Sequence, residues 1–475
     1  MESKRVKAVI IGAGSAGLSA MRQIRKYTDE YVIIDNGKLG TKCARNGCMP
    51  SKALISVANG FHKRDILAEA GITGADKAAA NIPQVLAHVR RLRDGFTNRM
   101  IEVTKELAGE KLIRAKAGIV SPDTVSAGDL TFKTDSIVIA TGSRPRLPHG
   151  WEKLGSRLFT SDNIFEAENL PPRIAVIGMG TIGLELGQAL SRLGIEISLF
   201  ARKSFGQISD PEIKAAAFEI LGRELNVNIG SDVSFDCDGD EVKVRNADTE
   251  STVDAVIAAM GVEPDIKDLG LENLGVDLDS RGMPSFDFRT MQVADLPVYI
   301  AGDANGSRPI LHEAVDEGSI AGHNAVAESP EKFCRRVGLS VIFTHPQIAK
   351  AGLSFKEIKS RGISFVVGNE DFADQARARL EMEAHGQMNI YAESETARLI
   401  GAELVCPDGE HLAHVLALAI NERKSVYDML RMPFYHPTLA ESLRAALLDA
   451  AGKLPDKGKK LNLGLCGSCP EKPLC

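Results

Sequence analysis

Cys43 and Cys48 stand in the segment GTKCARNGCMPSK, residues 40–52, separated by four residues and followed by Pro50 at a helix start. A pair at that spacing can close a small redox disulfide if the helical turn carrying it is locally distorted. Read alone, the pair also fits two inert core cysteines or half of a metal site. Eight cysteines in 475 residues are too few for a disulfide scaffold, and the chain opens on a short apolar run leading into a glycine turn rather than on an export signal. The expected setting is a reducing cytoplasmic one, where a close cysteine pair serves chemistry more often than structure.

The elements preceding the pair give it a neighbour. Residues 6–11 (VKAVII) form a continuous apolar run ending at Gly12, an amphipathic stretch follows from Ser15 to Lys26, and YVIID occupies 31–35. This is strand, glycine turn, helix, strand. Gly12, Gly14 and Gly17 make GxGxxG at the turn. Glycine there permits the tight bend, close approach to a pyrophosphate and close helix packing, while Asp35 at the end of the next strand takes ribose hydroxyls. A lone GxGxxG is a weak signal; with strand, helix and acid in register it marks a dinucleotide site. Cys43 follows the Asp35 strand closely, which puts the pair beside whatever that nucleotide carries.

The same order recurs over residues 173–200, RIAVIGMGTIGLELGQALSRLGIEISLF, with Gly178, Gly180 and Gly183 at the turn. Where an acidic ribose reader would stand after the second strand, the chain has Ala201, Arg202 and Lys203. A carboxylate there would repel a 2'-phosphate and adjacent cations attract it, so NADP(H) is favoured over NAD(H). The alternative is that both cations are solvated loop charges. Two such units imply two doubly wound, Rossmann-like α/β domains.

Helices are expected over about 53–70 and 83–108, a strand over IVIATGSRPR (137–146), and strand-and-turn segments at AVIAAMGVEPD (255–265) and VYIAGDANG (298–306). From about residue 337 the texture is mixed α and β without phosphate loops, and the last stretch, KLPDKGKKLNLGLCGSCPEKPLC, reads as a flexible tail. A net charge of −6 with no dense basic stripe argues against nucleic acid. No apolar stretch is long enough to span a membrane.

Taken in order, GAGSAG, CxxxxC with PSK, ATGSRP (140–145), GMGTIGLE, AGDA (301–304), FTHPQIA (343–349) and HPTLAE (436–441) resemble the pyridine nucleotide-disulfide oxidoreductases, among them dihydrolipoyl dehydrogenase, glutathione reductase and mercuric reductase. The resemblance covers about residues 5–450. It implies FAD at the first glycine turn, with Thr141 and Gly142 beside it and Asp303 on the ribityl chain, and a pyridine nucleotide at the second, near Gly261. It implies an FAD-binding part at 1–150 and 266–336, an NAD(P)-binding domain at 151–265, an α+β dimerisation domain at 337–452, and a tail at 453–475.

The resemblance also implies roles. Cys48 would face the flavin and Cys43 exchange with substrate, Lys52 would approach the flavin and pair with Glu185, and His436, oriented by Glu441, would be the acid-base group supplied by the second subunit of a homodimer. The chemistry agrees: a thiolate attacks a disulfide, so exchange needs a base titrating near neutrality, which histidine is, and a carboxylate on its other ring nitrogen fixes the tautomer. The substrate class is a small dithiol or disulfide, or a lipoyl-carrying protein. The bland alternative for His436 is a surface loop histidine.

Several positions depart from the family pattern. Arg45, between the cysteines, either favours thiolate or faces solvent. Val262 follows the glycine of AMGVEPD where relatives often carry arginine, and His345 and Gln347 replace acidic residues, with dimer packing the expected consequence. Thr181 stands where glutathione reductases place a gating tyrosine, which leans away from that subgroup. Cys466, Cys469 and Cys475 in the tail leave open a soft-metal reductase fed by these thiols. A flavoprotein that only docks a redox partner is a third possibility.

Overall fold

The apolar run at 6–11 is the inner half of a longer strand, Glu2–Ile11, because it pairs in parallel along the whole of a second strand, Leu130–Ile139. Its outer residues are exposed and the last four, ending at Ile11, are buried. On the other side lies Tyr31–Ile34, and Val298–Ile300 flanks Leu130–Ile139, all parallel. Their ends are in register: Ile11 lies opposite both Ile34 and Ile139, and Ile139 opposite Ile300. Short antiparallel strands, Thr124–Ala127 and Ala117–Ser121, extend the sheet beyond Leu130–Ile139. The helices Ser15–Ile24 and Leu311–Asn324 belong to the same unit; the first buries Leu18, Met21 and Ile24, each side chain contributing about 1.5–3 kcal/mol of burial.

This computed structural model describes residues 2–202, 208–230, 232–239 and 241–455. Lys203 and the three tail cysteines lie outside the described residues. The chain divides into two compact units, one comprising Met1–Leu54, Asn81–Leu170 and Ala258–Arg335, the other, among described residues, Ile55–Ala80, Pro171–Ile257 and those from Arg336 onward. Among the described residues no helix is long and apolar enough to cross a membrane.

In the second unit the repeat predicted at 173–200 forms as strand Arg173–Ile177, helix Thr181–Arg192 and strand Glu196–Ala201, with Asn226–Ile229 continuing the parallel sheet. The unit also contains an antiparallel sheet running Leu339–Ile342, Gln347–Gly352, Leu399–Cys406, Gln387–Glu393, Phe365–Asp371. Its apolar face and the helices Gly409–Asn421 and Ala440–Lys453 enclose a core containing Ile390, Leu404, Leu416, Leu443 and Leu447.

Two elements differ from expectation. IVIATGSRPR is two strands: the first stops at Ile139, Gly142 takes φ 78°, and Ser143–Pro145 pairs instead with Val262–Pro264. The helix expected from about residue 53 begins earlier, at Cys48, so Pro50 sits in its first turn, where a missing N–H costs nothing.

Candidate active site

The aligned strand ends bring four loops to one edge of the first sheet. Gly12 N donates to Ile34 O (2.8 Å), Ala140 N to Ile11 O (2.8 Å) and Ala301 N to Ile139 O (2.9 Å), continuing the ladder into the glycine turn, the ATGS segment and the AGDA segment. Ligands bind at such carboxyl edges because loops diverge there. A Cβ on Gly12, whose φ is 106°, would lie 2.3 Å from Ala140 O, and one on Gly17 1.9 Å from Gly12 O. Only glycine fits either place. Gly14 is different: it begins the Ser15–Ile24 helix, a Cβ there would meet nothing within 4 Å, and no side chain caps the helix. The first-turn amides are thus open to an anion.

Asp35 does more than the sequence suggested. Its Oδ2 accepts from Ala13 N (2.7 Å), its Oδ1 from Gly37 N (2.8 Å), and Arg114 pairs with it at 3.2 Å. The carboxylate therefore fastens the glycine turn to the next strand's end. Arg114 carried no motif and was not foreseen. Asp303 Oδ2 accepts from Ser143 Oγ (2.7 Å), and the turn that carries it is held by the fully buried Glu317, which accepts from Gly302 N (2.8 Å) and Asn305 Nδ2 (2.6 Å). Burial pushes the Glu317 carboxyl above its ordinary range, against the pull of Arg335. Thr141 Oγ1 is buried without a hydrogen-bond partner among the described residues.

Cys43 and Cys48 are both thiols and both half-buried. The spacing called for a locally distorted helical turn, and the distortion takes the form of a break between two helices. Thr41, with φ 56° and ψ 148°, caps a single turn, Lys42–Arg45, by accepting from Ala44 N (3.3 Å). The chain breaks at Asn46 and restarts at Cys48. A Cβ on Gly47 would crowd Lys42 O at 3.1 Å and Cys43 Cα at 3.2 Å, so the loop folds back tightly over Cys43. The hydrogen bond to Cys48, and then burial, hold the Cys43 thiol far above its usual range, while Lys52 pulls the other way. Arg45 donates to Lys38 O (2.9 Å), which engages the cation between the cysteines with a backbone carbonyl.

In the second unit His436 Nδ1 lies 3.1 Å from both oxygens of Glu441, and Thr438 N donates to Glu441 Oε2 (3.0 Å). That amide first, and then His436, hold the Glu441 carboxyl below its ordinary range. The imidazole is 73% exposed, so its Nε2 is open to an incoming group. Glu185, on Thr181–Arg192, is buried and accepts from Phe343 N (3.0 Å). His345 pairs with Glu383 at 3.1 Å inside the same unit. At the second glycine turn Gly178 has φ 110°, Gly180 begins its helix uncapped, Gly183 is buried, and Arg202, at the end of the next strand, pairs with Asp232 at 3.1 Å. Gly261, φ 91°, accepts from Arg146 N (3.0 Å) in the first unit. Among the described residues no cluster of His, Cys, Asp or Glu is arranged to hold a metal ion.

A family model described as pyridine nucleotide-disulphide oxidoreductase matches residues 6–318, and the dimerisation domain of that family matches residues 339–447. The chain belongs to the pyridine nucleotide-disulphide oxidoreductase family. It is 27% identical over 468 residues to dihydrolipoyl dehydrogenase 3 of Haloarcula marismortui, covering 94% of this chain and 96% of that one. It is 30% identical over 467 residues to a dihydrolipoyl dehydrogenase of Synechocystis, covering 92% and 97%. A mercuric reductase of Staphylococcus aureus is 28% identical over 93% of this chain and 81% of its own length. In fold the chain is similar to RclA of Escherichia coli, a HOCl-induced flavoprotein disulfide reductase solved as a Cu(II) complex, with a TM-score of 0.81 at 20% identity over 94% and 99% of the two chains.

Membership makes the chain an oxidoreductase and a flavoprotein, with FAD as the flavin. The first unit fits that cofactor on its own geometry. The open face at Gly14, the uncapped helix and the unsatisfied Thr141 hydroxyl are features a bound dinucleotide would complete.

Proposed function

We propose that this enzyme is a dihydrolipoyl dehydrogenase-like dithiol/disulfide oxidoreductase, with NADP(H) favoured over NAD(H), acting on a small dithiol or disulfide or a lipoyl-carrying protein. One observation carries the reading: Cys43 and Cys48, both free and half-buried, stand either side of a tight helix break in the loop that follows the dinucleotide turn. FAD, when bound, relays two electrons between the nicotinamide and sulfur. The rest is the chain's own work. Cys43 forms and releases the mixed disulfide with substrate, and Cys48 closes the internal disulfide. His436, supplied by the partner subunit of a homodimer through the dimerisation domain, takes and returns the thiol proton at Nε2, with Glu441 holding Nδ1. Arg202 and Lys203 supply the preference for a 2'-phosphate.

Anaerobic reduction with NADPH and NADH in turn tests this, followed by a screen of lipoamide and glutathione disulfide. A long-wavelength thiolate-to-flavin charge-transfer band, formed at lower concentration of NADPH than of NADH and lost in Cys48→Ser, is the expected result. Its absence with both nucleotides ends the proposal.

A soft-metal reductase is the second reading, supported by the Staphylococcus aureus mercuric reductase among the relatives and by Cys466, Cys469 and Cys475. Truncation after residue 455 separates the two. Loss of mercuric-ion reduction with lipoamide turnover retained favours the metal.

A further inference from the structure

We propose that Asp162 is a positioning residue for the cysteine pair, its carboxylate anchoring the redox loop on both sides of Cys43 and so setting how readily the two sulfurs join. This rests on the reading of Cys43 and Cys48 as the redox pair. Asp162 Oδ1 accepts from Asn46 Nδ2 at 2.8 Å and lies 3.1 Å from Lys42 Nζ. Lys42 immediately precedes Cys43; Asn46 is the point at which the Cys43 helix breaks before Cys48. One carboxylate thus ties down both ends of the single helical turn that carries Cys43. Lys42 Nζ also donates to Ser143 O (2.8 Å), and Ser143 is the residue that holds Asp303, so the clamp continues into the flavin side of the unit.

The anchor is itself rigid. Asp162 N donates to Thr160 Oγ1 (3.2 Å), Thr160 N donates to Asn163 Oδ1 (2.7 Å), and the segment runs into the buried side chains of Ile164 and Phe165. Asn46 is only 7% exposed, and burying an amide costs unless partners compensate it; its Oδ1 finds none among the described residues, which leaves Nδ2 to hold the side chain in place. Asp162 is the partner of that Nδ2 group. A loop fixed at two points holds one sulfur near the other. Freed, it explores more conformations and the effective concentration of one thiol at the other falls.

The test is a redox equilibrium on the full-length holoenzyme. The protein is equilibrated in buffers of graded reduced-to-oxidised glutathione ratio, quenched by alkylation, and the 43–48 peptide scored as dithiol or disulfide by mass. Closing the pair forms one S–S bond, and its two electrons and two protons convert one glutathione disulfide to two glutathiones. For Asp162→Ala the midpoint should move about tenfold toward the dithiol, which is about 30 mV. Asp162→Asn keeps an acceptor without the charge and should stay within about threefold of wild type. Lys42→Met and Asn46→Ala should each shift the midpoint less than Asp162→Ala, and adding Asn46→Ala to Asp162→Ala should add less than its separate effect.

Flavin content, read from the visible spectrum, reports whether each variant folds; if Asp162→Ala does not, the single changes at Lys42 and Asn46 decide. Midpoints within about twofold of wild type in flavin-loaded variants overturn the anchor, as does Asp162→Asn moving as far as Asp162→Ala, which would point to charge alone. A wild-type pair that never exchanges with glutathione overturns the redox reading itself, and the anchor with it.

Discussion

The two glycine turns are built on one backbone and finished with opposite charges. Gly14 and Gly180 have the same angles, φ −80° and ψ −171°, each at the start of an uncapped helix, and Gly12 and Gly178 have φ of 106° and 110°. Phosphate recognition needs only these amides and the absence of a Cβ, which is why it reads as spacing. One strand later the turns part. Asp35 accepts from two backbone amides and pairs with Arg114, whereas Arg202 pairs with Asp232 and both are largely exposed. The first position is part of the turn's own architecture, while the second is an exposed position that the turn does not depend on.

The largest expected effect separates roles within a turn. In Gly17→Ala the new methyl would meet Gly12 O at 1.9 Å, a backbone atom that cannot swing aside, so the first unit should lose about 3 kcal/mol or more and purify without flavin. Gly180→Ala meets nothing within 4 Å. It should keep its melting temperature and flavin and instead raise the pyridine-nucleotide KM by about tenfold, because its methyl points to where a pyrophosphate would lie. Equal melting losses in both would break the distinction between turns closed by packing and faces left open for ligand.

Next is Asp35→Ala. Removing a carboxylate bonded to Ala13 N and Gly37 N leaves the buried Ala13 amide without its partner, at about 1–3 kcal/mol, while the exposed Gly37 amide and Arg114 can turn to water. Flavin affinity, measured by refilling the stripped protein, should drop by about a hundredfold. The same truncation at Arg202 should leave flavin affinity unchanged. If both lose flavin equally, the architectural role given to Asp35 is wrong.

How much of this was legible follows the same division. Strand, glycine turn and helix are short-range patterns, so the doubly wound units and the glycines that shape them could be read from spacing. His436 and Glu441 lie five residues apart and meet at 3.1 Å. Contacts across long stretches of chain left no local mark: Arg114 on Asp35, Ser143 on Asp303 and Asp162 on Asn46 bridge 79, 160 and 116 positions. The cysteine loop was legible only as a distorted helical turn, not in the form the distortion takes. Thr41 starts the short turn at positive φ, a conformation costing on the order of 1–3 kcal/mol outside glycine, and Asn46, at φ −142° and ψ 12°, ends it before the tight loop at Gly47, so two helices flank the break.

Reversing charge at the second turn tests its selectivity. Arg202→Asp puts a carboxylate one residue beyond Ala201, the position that matches Asp35 in the first turn. A charge-assisted hydrogen bond contributes about 1.5–3 kcal/mol, so kcat/KM for NADPH should fall by about ten- to a hundredfold while that for NADH holds or rises. An unchanged ratio would mean that Arg202 is a solvated loop charge and that nucleotide choice lies elsewhere.

The smallest effect belongs to its partner. Arg202 and Asp232 have side chains 69% and 84% exposed, and an ion pair so wet contributes little to folding because water competes for both charges. Asp232→Asn should therefore leave the melting temperature unchanged. Its consequence is on the ligand: an arginine no longer shared with a carboxylate is more available to a phosphate, so the KM for NADPH should fall about twofold, less at high salt, where screening already weakens the pair. A rise in that KM would mean that Asp232 orients the guanidinium rather than competing for it. The second turn would then resemble the first after all, with a carboxylate holding the reader in place.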